Sequence, residues 1–398
     1  MIYHTILASV MIISGSIQTL AIKWADMIES DGFNKPIHKF NHPLIQTLVM
    51  FCGEIMCILL DKIYRYCLPE DKCLANKIKY DKNSLSNLRI SNNFKKNNDI
   101  NVFKFALPAF CDMISASIMY YALNLTFASS FQMFRGGVII FTGILSTLIL
   151  DTRLARLQWI GIIVVMLGLV FVGVSDICCA DRYNDVNKIN NATYLSLFKT
   201  AIADILIFLS QIIVAFQVVY EERLVTKYPT LSEMTIIGWE GIFGVFMLVP
   251  LIILASCIPI RKTFFVKNDD NIVFDNQVYF LENPLDAFYQ ISGSYPLKWA
   301  IFCNFICVPI FSISGLHVTK GISATTRMVV DTLRIILVWV FSLVLKWQSF
   351  HKFQFFGCII IICGISLYQN FNICVYFCDL RNSRLNKNKG ELNKLENG

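Results

Sequence analysis

Charge is scarce in this chain. Of 398 residues, 16% are Asp, Glu, Lys or Arg while 55% are hydrophobic, and the mean hydropathy is +0.56. So few charges cannot cover a water-soluble domain of this length, so the chain belongs in a bilayer. Histidine is scarcer still, five residues in all; His38 and His42 are a loop pair that reads as incidental, and no metal site is expected. No C-x-x-C cluster occurs among the fourteen cysteines. Half of them (Cys52, Cys57, Cys111, Cys303, Cys307, Cys358, Cys363) lie inside apolar runs, which argues against a disulfide scaffold and leaves vicinal Cys178-Cys179 as the one redox oddity. There is no phosphate loop, no HExxH, no nucleophile elbow and no His/Cys/Ser grouping at catalytic spacing, so neither enzymatic chemistry nor a cofactor is expected. The net charge of +7 is spread over loops between apolar runs, which suits a membrane surface and not nucleic acid. The first apolar stretch has no basic lead-in and no small-residue cleavage site before Lys23, so it is expected to remain as a span.

What is present is a series of long apolar runs. Crossing about 30 Å of hydrocarbon at 1.5 Å per residue takes about 20 residues. Ten stretches qualify: Tyr3–Ile22, Leu44–Tyr64, Phe103–Leu123, Ser129–Leu150, Leu157–Ser175, Leu197–Tyr220, Ile236–Cys257, Leu297–Val318, Ala324–Leu345 and Phe353–Phe371. Two segments stand outside them. Residues 72–101 are rich in Asn and Lys and read as a disordered insert. The connection 258–296 is long, and its Leu285–Ile291 stretch reads as a short helix lying on the membrane surface. With the N-terminus cytosolic, 20 Lys and Arg fall on the cytosolic side and 12 on the other, so the positive-inside rule puts both termini and the tail 372–398 in the cytosol. The sequon Asn191-Ala-Thr193 then lies in a lumenal loop between spans five and six.

The chain also repeats itself. At an offset of 196 residues, Ala128-Ser-Ser aligns with Ala324-Thr-Thr, Ser146 with Ser342, Gln158-Trp-Ile-Gly161 with Gln354-Phe-Phe-Gly357, and Gly168 with Gly364. Span four thereby maps onto span nine, an odd displacement, so the two halves have opposite orientation in the membrane. The expected fold is all-α, ten transmembrane helices as two inverted five-helix repeats, 1–175 and 197–371, an arrangement that suits alternating access around a midplane site. Gly161 and Gly168, with Gly357 and Gly364, and Gly238, Gly241 and Gly244 are expected to form close-packing grooves between helices.

Charges inside spans mark candidate site residues, because each costs about 2.5–3.5 kcal/mol at a span centre. Span nine carries Arg327, Asp331 and Arg334, which at about 100° per residue share one 60° sector. Facing lipid they would cost roughly 8–10 kcal/mol together, so they line the protein interior or a cavity. The repeat aligns Arg135 with Asp331, and an Arg135–Asp331 ion pair at a cavity floor is expected; the alternative is that Asp331 neutralises only Arg327 and Arg334. Gln132 reads equally as a solute contact or as the end of an S-x-x-Q capping box from Ser129. The short connections before spans four and nine bring two helix N-termini near the site, favouring an anionic or zwitterionic solute, with Lys320 adding positive charge at one of them. Gln18, Glu54, Asp112, Gln211, Gln217 and Glu240 complete the candidates, each open to a proton-coupling or a structural role, and Asp204 reads as structural.

The strings GSIQTLAIKWAD (15–26), NHPLIQTLVMFCGE (41–54), FCDMISASIMYYALNLTFASSFQMFRGGVIIFTG (110–143) and SATTRMVVDTLRIILVW (323–339) resemble the drug/metabolite transporter superfamily, most nearly solute carrier family 35, subfamily F, and more distantly nucleotide-sugar and chloroquine-resistance-type transporters. The resemblance spans about Ile13 to Gln369. It implies ten spans in two inverted repeats, a cavity lined by spans one to four and six to nine, cavity roles for Gln132, Arg135, Arg327 and Asp331, and residence on a lysosomal, Golgi or other endomembrane. The function expected is a secondary transporter or exchanger of a small polar organic solute. Two cargo classes stay open: nucleotide sugars, which the arginines would hold, and amino acids, peptides or organic cations coupled to protons. A non-transporting membrane adaptor is the third class. The expected partners are the small-molecule solute and the lipid bilayer, with a proton as coupling ion and a second copy of the chain as further candidates, and no nucleic acid.

Overall fold

The computed structural model describes residues 2–33, 35–67, 102–150, 155–180, 191–228, 231–261, 264–268, 271–275, 278–280, 282–321, 323–347 and 352–368. The expected disordered insert and the tail lie outside these residues. Helices α1 (Ile2–Met27), α2 (Pro43–Cys67), α3 (Ala106–Leu125), α4 (Ala128–Arg135), α5 (Val138–Ile149), α6 (Arg156–Ala180), α7 (Asn191–Lys227), α8 (Glu233–Cys257), α9 (Pro284–Gly293), α10 (Tyr295–Gly321), α11 (Ala324–Thr332), α12 (Arg334–Val344) and α13 (Lys352–Tyr368) follow in chain order. Among the described residues, three two-stranded antiparallel ribbons accompany them: β1 (Glu29–Gly32) with β2 (Lys35–Lys39), β3 (Pro259–Arg261) with β6 (Val278–Phe280), and β4 (Phe264–Asn268) with β5 (Asn271–Asp275).

Among the described residues, eight helical segments are long and apolar enough to cross a membrane, and they coincide with the first eight expected spans. The ninth expected span, taken in the sequence as one helix, is two: α11 ends at Thr332 and α12 begins at Arg334, with Leu333 donating to the Val330 carbonyl in a tightened turn. The fourth also tightens, at Gly136-Gly137, where the amides of both glycines donate three residues back. These two breaks are one repeat apart, Gly137 against Leu333. The tenth expected span is α13, 17 residues of apolar helix. The sequon is displaced as well, since Asn191 opens α7 instead of sitting in a loop.

The chain forms two compact units, each drawing on both halves of the sequence. The first comprises Met1–Ser16, Tyr121–Arg223 and Val318–Gly398. Its glycines do what their spacing predicts. A methyl group at Gly161 would stand 2.8 Å from the Gly364 carbonyl oxygen, one at Gly168 3.1 Å from that of Gly357, and the reverse approaches are 3.0 and 3.2 Å. Backbones that close require a bare Cα on both helices, so α6 and α13 lie antiparallel with glycine against glycine. The second unit comprises Ile17–Tyr120 and Leu224–His317. Here α2 packs along α8: methyls at Gly238 and Gly241 would meet Ile58 Cβ at 2.6 Å and Glu54 Cβ at 2.8 Å. Ser232 caps α8 by accepting from the Thr235 amide, and its hydroxyl donates to Asp61 of α2 at 2.9 Å. The expected short helix is present as α9, with Leu285 and Phe288 67% and 75% exposed and Asp286, Ala287 and Gln290 buried. Its apolar side faces outward and its polar side inward, the reverse of a surface helix in water.

Candidate functional site

The buried charges of the first unit form two neighbouring clusters on α4, α7, α11 and the start of α12, one around Asp331 and one around Glu221. Arg334 is 1% exposed; its Nε donates to Gln132 Oε1 at 3.1 Å and lies 3.1 Å from Asp331 Oδ1. The other oxygen of Asp331 takes Nη2 of Arg135 at 3.5 Å, so the expected cross-repeat ion pair forms. Asp331 therefore serves Arg135 as well as Arg334, and it is not the partner of Arg327. Arg327 instead donates through Nη1 to Glu221 Oε2 at 2.6 Å, and Gln217 Nε2 donates to the other Glu221 oxygen at 3.0 Å. Burying charges this deeply is sustained only when each finds an opposite charge or a hydrogen bond, and these clusters supply one to every member.

Glu221 is the buried charge that sequence reasoning missed. It stands near the C-terminal end of a long apolar helix, beside Glu222, and looks there like a charge at the water boundary. Only its 3% exposure reveals otherwise. The capping-box role for Gln132 is not found. Helix α4 starts at Ala128 with Phe127 at its N-cap and no side-chain cap, so Ser129 is already inside the helix. Gln354 Nε2 instead donates to the hydroxyls of Ser129 and Ser130, at 3.0 and 3.1 Å. That leaves the Gln132 amide for Arg334.

Arg135 differs from its neighbours in being reachable. Its side chain is 19% exposed against 10%, 7% and 1% for Arg327, Asp331 and Arg334, its one carboxylate contact is long, and its guanidinium lies 5.7 Å from the Phe131 ring centroid. A planar cation held on an aromatic face is suited to hydrogen-bonding an anionic oxygen.

The other expected site residues are not part of these clusters. Gln211 donates to the Ile207 carbonyl and Ser210 hydroxyl of its own helix, Lys320 is exposed in the last turn of α10, and Asp204 accepts from Thr126. Gln18, Glu54, Asp112 and Glu240 belong to the second unit, where Gln18 donates to Tyr120 at 3.5 Å and Glu54 accepts from Ser312 at 3.3 Å.

Apolar helices of membrane-crossing length, two of the expected spans tightened or broken at repeat-equivalent positions, and charge clusters buried beside the breaks define a polytopic membrane transporter scaffold. The comparisons with known proteins agree. The model of the UAA transporter family matches residues 74–372. Solute carrier family 35 member F6 of Rattus norvegicus is 36% identical over 394 residues, 99% of this chain and 95% of its own length. The Homo sapiens protein of that name is 37% identical over 92% of this chain and 89% of its own, and an uncharacterized protein of Schizosaccharomyces pombe is 27% identical over 92% and 97%. One solved crystal structure shares the fold at a TM-score of 0.50 and 11% identity, covering 93% of this chain and 98% of its own. The chain belongs to the UAA transporter family and, within solute carrier family 35, is similar to member F6.

Proposed function

We propose that this protein is a secondary transporter that carries a small anionic or zwitterionic organic solute across an endomembrane by alternating access, with ten spans in two inverted halves and both termini cytosolic. Two features support the inverted halves. The helix breaks at Gly137 and Leu333 are separated by the repeat offset, and the glycine contacts are reciprocal, Gly161 on Gly364 and Gly168 on Gly357. Reciprocity of that kind is what a local twofold axis produces between repeated elements.

The observation that carries the solute reading is Arg135, the most accessible of these otherwise buried charges. Its guanidinium contacts the solute anion, Asp331 and Phe131 hold it in place, and Gln132, Arg334, Arg327 and Glu221 fix the broken helices around it. The purified protein, reconstituted in liposomes, is to be offered nucleotide sugars in one series and amino acids and short peptides in another, with and without a pH gradient. Uptake of one class is expected, reduced at least tenfold in Arg135→Ala with an unchanged melting temperature and partly retained in Arg135→Lys. A wild-type protein that moves neither class under any gradient, or an Arg135→Ala protein that transports normally, overturns the proposal; the first result moves the chain to the adaptor class.

A further inference from the structure

His38 and His42, an incidental loop pair in the sequence, are brought against α9 of the same unit. His38 lies on β2 and His42 just before α2, while Glu282 and Asp286 lie just before and within α9, about 250 residues further along. Four titratable side chains from two distant stretches of the chain thus meet in one place. Glu282 and Asp286 are each 1% exposed, His42 7%, and His38 33%.

The hydrogen bonds fix the roles of most atoms. Glu282 accepts the Leu44 amide on Oε2 at 3.1 Å and faces His42 Nδ1 with Oε1 at 2.5 Å. His42 therefore carries its proton on Nδ1. Its Nε2 is buried with no hydrogen-bond partner, 3.9 Å from Asp286 Oδ2. The same Asp286 oxygen is 3.2 Å from His38 Nε2, while Oδ1 is occupied by the Phe33 amide at 2.7 Å. Gln290 Nε2, which donates to the carbonyls of Ser30 and His38, also lies 3.1 Å from His38 Nε2. His38 Nε2 thus stands between an amide and a carboxylate oxygen, and the tautomer with its proton on Nδ1 leaves Nε2 a lone pair for a metal ion.

Two imidazole nitrogens and one carboxylate oxygen thus converge, all three within 4.8 Å of one another. Metal–ligand bonds of about 2.0–2.2 Å in a tetrahedron put ligand atoms about 3.3–3.5 Å apart, so the side chains would need to shift by about 1 Å to close on an ion. The charge balance points the same way. With both imidazoles neutral, as metal ligation requires, the two buried carboxylates carry a charge of −2 that a divalent cation cancels. Glu282 on the far nitrogen of His42 is the carboxylate–histidine arrangement that orients a metal-bound imidazole.

We propose that His38 Nε2, His42 Nε2 and Asp286 Oδ2 bind a zinc-class divalent cation, with Glu282 orienting His42 and a fourth position open to water past the half-exposed His38 ring. Bound there, the ion ties the β1–β2 hairpin to α9 and fixes the connection after α1 to the connection before α10. Glycine at position 32 belongs to the design, because a methyl there would run into the His38 ring. The proposal is independent of the transport reading.

The full-length protein, purified without a histidine tag and stripped with chelator, is to be titrated with Zn²⁺ and with Co²⁺. One ion per chain is expected, with the visible absorption of tetrahedral nitrogen–oxygen-ligated cobalt and no thiolate band. His38→Ala, His42→Ala and Asp286→Asn should each weaken binding about 100-fold or more, and Glu282→Gln about 10- to 100-fold. His317→Ala, which removes a histidine of the same unit outside the cluster, should bind as wild type does. His38 is half-exposed, so its variant tests the site even where a change at a buried position prevents folding. No stoichiometric metal in the wild type, or equal binding by the His38→Ala protein, overturns the proposal and leaves the cluster as a proton-linked set of ion pairs.

Discussion

Replacing Glu221 by Gln removes one charge and little else. The new amide has nearly the same shape as the carboxylate, and its oxygen can still accept from Gln217 at the present 3.0 Å. What disappears is the counter-charge of Arg327, now 2.6 Å away. The Arg327 side chain is 10% exposed and its Nε is buried without a hydrogen-bond partner, so little else offsets the loss. Stranding one partner of a buried pair costs about 3–5 kcal/mol, whereas replacing both partners by apolar groups of similar volume is often close to neutral. Glu221→Gln should therefore melt well below wild type in detergent, and Glu221→Leu/Arg327→Met should recover most of the difference. The assay is thermal unfolding followed by size-exclusion retention, with the single variant Arg327→Met as the fourth corner of a double-mutant cycle. A Glu221→Gln protein as stable as wild type would refute the reasoning, and so would a double variant as damaged as the single ones. Either result would mean that water reaches Arg327 freely and that the cluster is not a sealed one.

Three further outcomes follow from the packing and the ion pairs. Gly168→Leu should destabilise the first unit by about 1–3 kcal/mol or more, because even a methyl at that position would stand 2.6 Å from Ile361 Cγ1 and 2.9 Å from its backbone nitrogen; chemical denaturation against the wild type measures it. Exchanging the charges in Arg135→Asp/Asp331→Arg should restore part of the transport that each single change abolishes, and a double variant with no uptake above the singles removes the pair from the mechanism. Lys346 ends α12 with φ 57 while the Trp347 amide reaches back to the Ser342 carbonyl, a helix stop that favours glycine, so Lys346→Gly should raise stability by about 1 kcal/mol in the same denaturation measurement.

Much of the architecture is written in local composition. Apolar runs of about 20 residues specify where the chain crosses a bilayer whatever the rest of it does, because an unsatisfied backbone in hydrocarbon costs too much for any alternative. Glycines at seven-residue spacing announce a close helix contact, and α6 and α13 make it at Gly161, Gly168, Gly357 and Gly364. The Arg135–Asp331 pair was legible too, since a repeat offset of 196 brings position 135 to position 331 and opposite charges in a membrane seek one another. Partner choice over long separations was not legible. Arg327 could as well have turned to Asp331, one helical turn away, and only the packing of α7 against α11 gives it Glu221 instead. Gln132 obeys a capping pattern that the structure sets aside, because the helix starts earlier than the pattern assumes and Arg334 arrives from another span. The break at Leu333 has no glycine or proline to signal it. His38 and His42 carried no message of their own, since the cluster they join is made by side chains from two distant stretches of the chain. Sequence alone determined that this protein spans a membrane and buries charge there, because hydropathy and the cost of charge in lipid are local quantities. Tertiary structure decided which charges meet, because that depends on where helices hundreds of residues apart come to lie.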